Sequence, residues 1–408
     1  MAAAVAALAG AGGAGASAAP GGRSPAPSPS PSPTLPVPAS TVDPDRSVGG
    51  PRLASMGVVL DAPAGVPAPP AVRDVAWLVA DADTGEVLAA KAPHARLRPA
   101  STLKALTATT LIPTIDPDAV HRATEADAAA DGTRVGLLPG RTYTARQLFS
   151  GLVMASGNDA AYALAEMNGG RAATVAELNA RARELGAHDT VVRDPSGLDA
   201  PGQVSSAYDL ALIGRAAVRD PEYVRYATTR EVRFPGRVDP KTGKPTTYVV
   251  GNHNRLLYNY PGTIGVKNGY TVAAHRTFIA AARRGGKTYL VTEMYGLDGG
   301  WRPTASLLDW AFRHGPRVTP VGRLVEPGEV PRAPVAGPSP SATASPVPSP
   351  SATGTGDPAP TRATTAASLG TTEAGPWVGA ATLAASVALV LGYAVRARRA
   401  RRRTSADG

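Results

Sequence analysis

Ser101 and Lys104 are the first residues in the sequence whose types and spacing could do chemistry together. They open a run without glycine or proline that lasts until Pro113, which predicts a helix with both side chains on one face. A serine hydroxyl becomes a strong nucleophile when a neighbouring base takes its proton. A lysine is such a base only when neutral, which requires burial or a nearby cation to lower its pKa. By itself the pair is more often an N-cap serine beside a surface lysine.

Ser156-Gly157-Asn158 form a second polar cluster, between predicted helices over 144–155 and 159–167. These are ordinary turn residues, and Asn158 could serve only to cap the following helix. The chemical interpretation is a second hydroxyl that relays a proton and an amide that holds a substrate carbonyl.

Lys267-Asn268-Gly269 are a third candidate group, on a strand predicted over 264–270. The lysine would supply a fixed positive charge. The glycine would let a substrate lie against the strand without a Cβ in the way.

The elements that must position these groups follow from the apolar patterns along the chain. The predicted order is two strands, a block of helices, several further strands and a terminal helix. The strands are predicted over 75–80, 86–91, 231–234, 246–250, 264–270, 277–283 and 288–295, and the helices from 101 and over 144–155, 159–167, 175–185 and 307–312. This order predicts an α/β fold, a mainly antiparallel sheet flanked by helices with an all-helical lobe inserted at about 105–225.

Composition limits both the folded region and the possible chemistry. Of the 40 prolines, 26 lie in residues 20–70 and 319–376, so the sequence predicts Pro/Ser-rich linkers over 20–71 and 319–376 around one catalytic domain over 72–318. The absence of cysteine excludes disulfides, a thiol nucleophile and a cysteine-ligated zinc site. The six histidines are scattered without paired-ligand spacing, so no metal or other cofactor is predicted.

The two ends of the chain suggest a membrane protein. Residues 377–395 carry no charge and no proline, and six arginines follow within a basic tail over 396–408. This pattern predicts a single transmembrane helix with a cytoplasmic tail, and with it an extracellular catalytic domain at the cell membrane. The alternative is a soluble Ala-rich helix with a basic tail. Because the excess charge is concentrated in this tail, no nucleic-acid partner is expected.

Residues 1–19 are apolar and end in small residues, as in a signal peptide, but no Lys or Arg precedes the apolar run. The segment is interpreted as a truncated or unusual signal, with an Ala/Gly-rich linker as the alternative.

The three motifs, in this order and around a helical block, resemble the serine-type D-alanyl-D-alanine carboxypeptidases of the penicillin-binding protein and β-lactamase superfamily. The resemblance covers roughly residues 72–315. It is strengthened by further strings, which are Asp83-Thr84-Gly85, Asp194-Pro195-Ser196-Gly197-Leu198, Ser206-Ala207-Tyr208-Asp209 and Asn252-His253-Asn254. It implies that the partners are peptidoglycan stem peptides as substrate and β-lactams as covalent inhibitors.

The resemblance also implies a role for each catalytic residue. Ser101 would attack the carbonyl between two D-alanines and become acylated, and Lys104 would take its proton. Ser156 would relay a proton to the leaving amine, and Asn158 would hold the substrate and Lys104.

Substrate binding is implied for a second set of residues. Lys267 and Asn268 would meet the terminal carboxylate, and Gly269 would leave room for the substrate. The backbone N–H groups of Ser101 and Tyr270 would form the oxyanion hole. Arg302 would be a second carboxylate anchor, with a solvated surface arginine as the alternative.

The third motif departs from the Lys-Thr-Gly that is usual in the family. That string occurs at Lys241-Thr242-Gly243, but between two prolines and among charges, which predicts an exposed turn. The motif is therefore assigned to position 267, where Asn268 replaces the usual threonine and puts substrate preference in question.

Two other functions remain alternatives at this stage. A β-lactamase shares the motifs but needs a glutamate to activate water; Glu177-Leu178-Asn179 superficially resembles its string, yet Val175 occupies the position of that glutamate. The non-enzymatic alternative is a cell-surface peptidoglycan-binding module whose catalytic pocket has decayed, with Asn268 as its first sign.

Overall fold

The computed structural model of the protein describes residues 42–329. The predicted signal-like segment, the transmembrane helix over 377–395 and the basic tail over 396–408 lie outside these residues. Among the residues that are described, no helix has the length and apolar character needed to cross a membrane.

A seven-stranded sheet forms the centre of the fold, in the order β1-β3-β2-β10-β9-β8 with β11 also paired to β3. Every pairing in it is antiparallel. Its strands are β1 (Val58–Leu60), β2 (Asp74–Asp81), β3 (Glu86–Lys91), β8 (Thr263–Thr271), β9 (His275–Arg284), β10 (Lys287–Gly296) and β11 (Gly322–Arg323). Two further antiparallel pairs lie apart from it, β4 (Val120–Arg122) with β5 (Thr142–Thr144), and β6 (Glu231–Val238) with β7 (Pro245–Gly251). The predicted antiparallel α/β architecture is therefore confirmed, although two of the predicted strands form a separate hairpin. The lobe predicted over about 105–225 is not all-helical, because the β4–β5 pair lies within it.

Helices cover both faces of the main sheet. They are α1 (Lys104–Leu111), α2 (Glu125–Ala128), α3 (Ala145–Met154), α4 (Asn158–Met167), α5 (Arg171–Glu184), α6 (Ala207–Arg219), α7 (Pro221–Thr228), α8 (Leu256–Asn259) and α9 (Arg302–His314). Because strand side chains alternate, Ile279 of β9 joins the core beneath α6, whereas Phe278 joins the core beneath α9. The sheet is thus buried on both sides, and β8 lies at its edge next to the inserted helices.

The folded region extends beyond the predicted limits of 72 and 318. Strand β1 pairs with β3 inside the stretch assigned to the first linker, and Leu53 of that stretch is fully buried. Strand β11, within the stretch assigned to the second linker, also pairs with β3. The predicted domain boundaries at 72 and 318 are therefore wrong. They were placed by proline density, which does not reveal the short strands β1 and β11 that pair with β3.

Candidate active site

Ser101 and Lys104 meet where a 3₁₀ turn, Ala100–Leu103, runs into α1. The Ser101 Oγ lies 3.0 Å from the Lys104 Nζ. Lys104 is fully buried, whereas Ser101 is half-buried and can be reached from solvent. Ala100, just before the serine, has φ of 49°, which is a costly conformation for a non-glycine residue and is concentrated at functional sites.

Two carbonyl oxygens complete the surroundings of the Lys104 amine. It donates to Asn158 Oδ1 at 2.5 Å and to the backbone oxygen of Ser196 at 2.5 Å. Because a carbonyl oxygen only accepts, these two bonds use both N–H groups of a neutral amine. The remaining lone pair then faces the Ser101 hydroxyl, which is the arrangement that a base requires.

The electrostatic surroundings favour this neutral form. Burial and the nearby Lys267 ammonium lower the pKa of Lys104 well below its ordinary value, and the charges of Asp194 and Asp159 oppose this only in part. Burial also lowers the pKa of Lys267 to about 7.

The second motif lies between α3 and α4 and supplies a contact to Lys104. Asn158 is the first residue of α4, and its Nδ2 donates to the Asp131 oxygen at 2.6 Å, which orients Oδ1 toward the lysine. Ser156 is buried and has φ of 60°, so the segment before Asn158 is also held in a strained conformation.

The third motif lies on the edge strand β8, directly against the turn that carries Ser101. Lys267 is buried, and its Nζ donates to the Asn268 oxygen at 2.7 Å. A Cβ on Gly269 would lie 2.7 Å from the Ser101 backbone nitrogen, so only glycine lets β8 and the turn approach so closely. Lys241, in the alternative string, lies in an exposed turn between β6 and β7.

A cavity of about 340 Å³ lies beside Asn268 and Tyr270. His253 and Trp301 also line it, and Tyr270 is 66% exposed. Burial and the charge of Lys267 lower the pKa of His253. Arg302 is exposed at the start of α9, with its guanidinium 5.2 Å from the Trp301 ring, and it is not among the residues that line the cavity.

A buried ion cluster supports the same cavity from the side of β9 and α9. Arg276, which lines the cavity, donates to Asp74 at 3.0 Å and to Glu293 at 2.9 Å. Burial and the neighbouring Glu293 raise the pKa of Asp74 to about 8. The Arg276 Nε also donates to the backbone oxygen of Asp298 at 2.9 Å, which ties the 297–301 loop to the sheet.

A model of the D-alanyl-D-alanine carboxypeptidase family of peptidases matches residues 64–294, more than half of the chain. This chain belongs to that family. It is 44% identical over 255 residues to the D-alanyl-D-alanine carboxypeptidase DacB2 of Mycobacterium tuberculosis. The alignment covers 61% of this chain and 85% of DacB2.

Two solved structures agree with this assignment. The crystal structure of a D-alanyl-D-alanine carboxypeptidase from Mycobacterium tuberculosis H37Rv has a TM-score of 0.60 and 42% identity, covering 64% of this chain and 99% of that chain. The Streptomyces K15 DD-transpeptidase has a TM-score of 0.56 and 28% identity, covering 60% of this chain and all of that chain. The predicted family and its serine-type D,D-carboxypeptidase function are therefore confirmed.

Family membership also decides between the functional alternatives. Glu177 lies on α5 and accepts a hydrogen bond from Asn168 at 2.6 Å, at the junction of two helices. Glu177 therefore joins two helices, and Val175 occupies the position at which a β-lactamase would need its water-activating glutamate. Within residues 42–329, no group of three or more His, Asp or Glu side chains is placed to hold a metal ion.

Sequence reasoning missed one contact of the base, the Ser196 carbonyl. A backbone carbonyl has no residue-type signal. The only available sign was the string Asp194-Pro195-Ser196-Gly197-Leu198, which supported the resemblance without suggesting a role.

Proposed function

We propose that this enzyme removes the terminal D-alanine from peptidoglycan stem peptides through an acyl-enzyme on Ser101. The observation that carries the proposal is the Lys104 amine, whose two N–H groups meet carbonyl oxygens while the Ser101 hydroxyl lies 3.0 Å away. Such an amine can take the hydroxyl proton without first losing one of its own.

Acylation then proceeds in two steps. The Ser101 Oγ bonds to the carbonyl carbon of the penultimate D-alanine as its proton moves to the Lys104 Nζ. The carbon–nitrogen bond breaks next, and the leaving amine receives, through Ser156, the proton that Lys104 took from Ser101. Water hydrolyses the resulting ester, which releases the shortened peptide and restores the Ser101 hydroxyl.

Carboxylate recognition is proposed for the third motif. Lys267 lies on the same strand as Gly269, which contacts the Ser101 turn, so its charge falls near the reacting bond. A pKa of about 7 allows an incoming carboxylate to favour the charged form. Asn268, next to the cavity, would donate its amide N–H to the same carboxylate, and the N–H groups of Ser101 and Tyr270 would form the oxyanion hole. Arg302 is a second anchor in this proposal.

β-Lactams would acylate Ser101 in the same way, because the strained ring presents a carbonyl and a carboxylate together. The test is mass spectrometry of the full chain after incubation with penicillin. We expect one covalent adduct on Ser101, and the Ser101→Ala variant should neither form it nor release D-alanine. An adduct on any other residue would refute the proposal.

A membrane location is proposed for the whole chain. The support is sequence alone: residues 377–395 lack charge and proline, and six arginines follow. Removal of residues 377–408 should move an active enzyme from the membrane fraction to the soluble fraction. A truncated enzyme that stays with the membrane would contradict the anchor.

A further inference from the structure

A loop of residues 194–198 lies directly on the helix that carries the catalytic pair. The Ser196 oxygen accepts from Lys104 at 2.5 Å, and the preceding Pro195 oxygen accepts from Thr107 of α1 at 2.7 Å. Gly197 has φ of 81°, and a Cβ there would overlap the Ala100 carbonyl. The carbonyl groups of Pro195 and Ser196 are thus held against α1. The position of the loop therefore determines where the Ser196 oxygen meets the Lys104 amine.

The Asp194 carboxylate holds this loop in place. Its Oδ1 accepts the Ser196 backbone N–H at 2.8 Å and also accepts the Ser196 hydroxyl. Its Oδ2 accepts the hydroxyl of Tyr162 at 2.9 Å. Tyr162 belongs to α4, the helix that begins at Asn158. One carboxylate therefore connects the two segments that supply the carbonyl acceptors of Lys104.

Asp194 also acts on Lys104 through its charge. Burial and the Lys267 ammonium lower the pKa of Lys104, and Asp194 is the larger of the two carboxylate influences that raise it. The other, Asp159, lies at the start of α4 and accepts backbone N–H groups of residues 135–137, which form a different loop.

We propose that Asp194 is a positioning residue for the base: it holds the Ser196 carbonyl against the Lys104 amine and keeps a negative charge two residues from that contact. The proposal rests on the proposed role of Lys104 in taking the Ser101 proton. In this proposal Asp194 does not touch the substrate and acts only through Lys104.

The test is the Asp194→Asn variant of the full chain. The second-order rate of covalent labelling by a fluorescent penicillin is measured across about pH 5 to 10, because its acidic limb reports ionisation of the base in the free enzyme. Loss of the negative charge lowers the pKa of Lys104, so we expect the acidic limb to move to lower pH by about half a unit or more.

Asp199→Asn is the matched control. Asp199 is an exposed residue one position beyond this loop, with its carboxylate 3.5 Å from Arg98, and its removal should leave the limb unchanged. If Asp194→Asn lowers labelling equally at every pH, or if Asp199→Asn gives the same shift, the proposal is overturned.

Asp194→Glu provides a second variant should Asp194→Asn fail to fold. It keeps the charge but displaces the carboxylate by one methylene, so labelling should slow while the limb stays in place. An unchanged rate would refute the positioning role. The proposed function fails separately, when the wild-type protein is labelled at a residue other than Ser101.

Discussion

At the scale of single residues, two buried lysines determine the chemistry of this site. Burial normally penalises a lysine, since the ammonium loses its hydration. At Lys104 the same loss makes a neutral base available, and the proximity of Lys267 strengthens the effect. Lys267 itself has a pKa of about 7, so near pH 7 its ammonium and neutral amine forms are similarly populated until a substrate carboxylate binds.

We expect Lys267→Ala to lower kcat/KM on peptides ending in D-Ala-D-Ala by about 10- to 100-fold, because a charge-assisted hydrogen bond to the carboxylate is lost. The matched control is Lys241→Ala, which removes an exposed lysine from the alternative Lys-Thr-Gly string and should leave kcat/KM unchanged. The reverse result would show that the third motif is at 241.

Asn268→Thr restores the residue that is usual in the family. We expect kcat/KM on the same peptides to be maintained or to rise, since the threonine hydroxyl can donate to the carboxylate as the amide N–H does. Steady-state release of D-alanine measures it. A large loss would mean that Asn268 is adapted to a different C-terminal residue.

At the scale of elements, the site depends on how closely an edge strand approaches a turn. Gly269 of β8 lies against the backbone of Ser101, while Thr277 of β9 donates to the Pro99 oxygen at 2.8 Å just before that turn. The nucleophile is therefore fixed to the sheet from which the substrate-binding strand is built.

Gly269→Ala should separate these two elements, because its Cβ would lie 2.7 Å from the Ser101 nitrogen. A displacement of about 1 Å is enough to slow penicillin labelling about 100-fold. Gly251→Ala is the control, since a Cβ at this β7 position meets no atom within 4 Å. Equal labelling rates for the two variants would contradict the predicted dependence on close approach.

The sequence predicted the elements that carry the site better than those that support it. The strand expected over 264–270, which carries the third motif, is observed at Thr263–Thr271, and the catalytic motifs lie together. Helix α6 was not predicted as a separate element, although it is amphipathic and Ser206 caps its start. The Ser196 carbonyl could not be predicted because its position depends on tertiary contacts of Asp194.

At the scale of the whole molecule, His94 connects the N-terminal segment to the domain. Its Nδ1 lies 2.7 Å from the Asp189 carboxylate and its Nε2 lies 3.0 Å from the Val48 oxygen. Because both partners only accept, the imidazolium satisfies both contacts. Burial lowers the pKa of His94, but the hydrogen bond to Asp189 and the charges of Asp189 and Asp209 outweigh it, and the net change is upward.

This raised pKa predicts how stability depends on pH. The contribution of His94 is complete below its unfolded pKa of about 6.5 and is lost as pH rises through the higher folded value. The free energy of unfolding of wild type minus that of His94→Gln should be larger at pH 6 than at pH 9. Urea denaturation of both proteins measures the difference, and a difference independent of pH would contradict an imidazolium at this position.

The pairing of β1 with β3 has a practical consequence for anyone who produces the enzyme. A recombinant chain that begins at residue 72 lacks β1, so the N–H and C=O groups of β3 that β1 engages at Ala89–Lys91 become available to other molecules. Such a chain should self-associate through this open edge and elute early from a size-exclusion column. A chain that begins before the 3₁₀ turn Pro44–Arg46 keeps β1 and therefore keeps this edge covered.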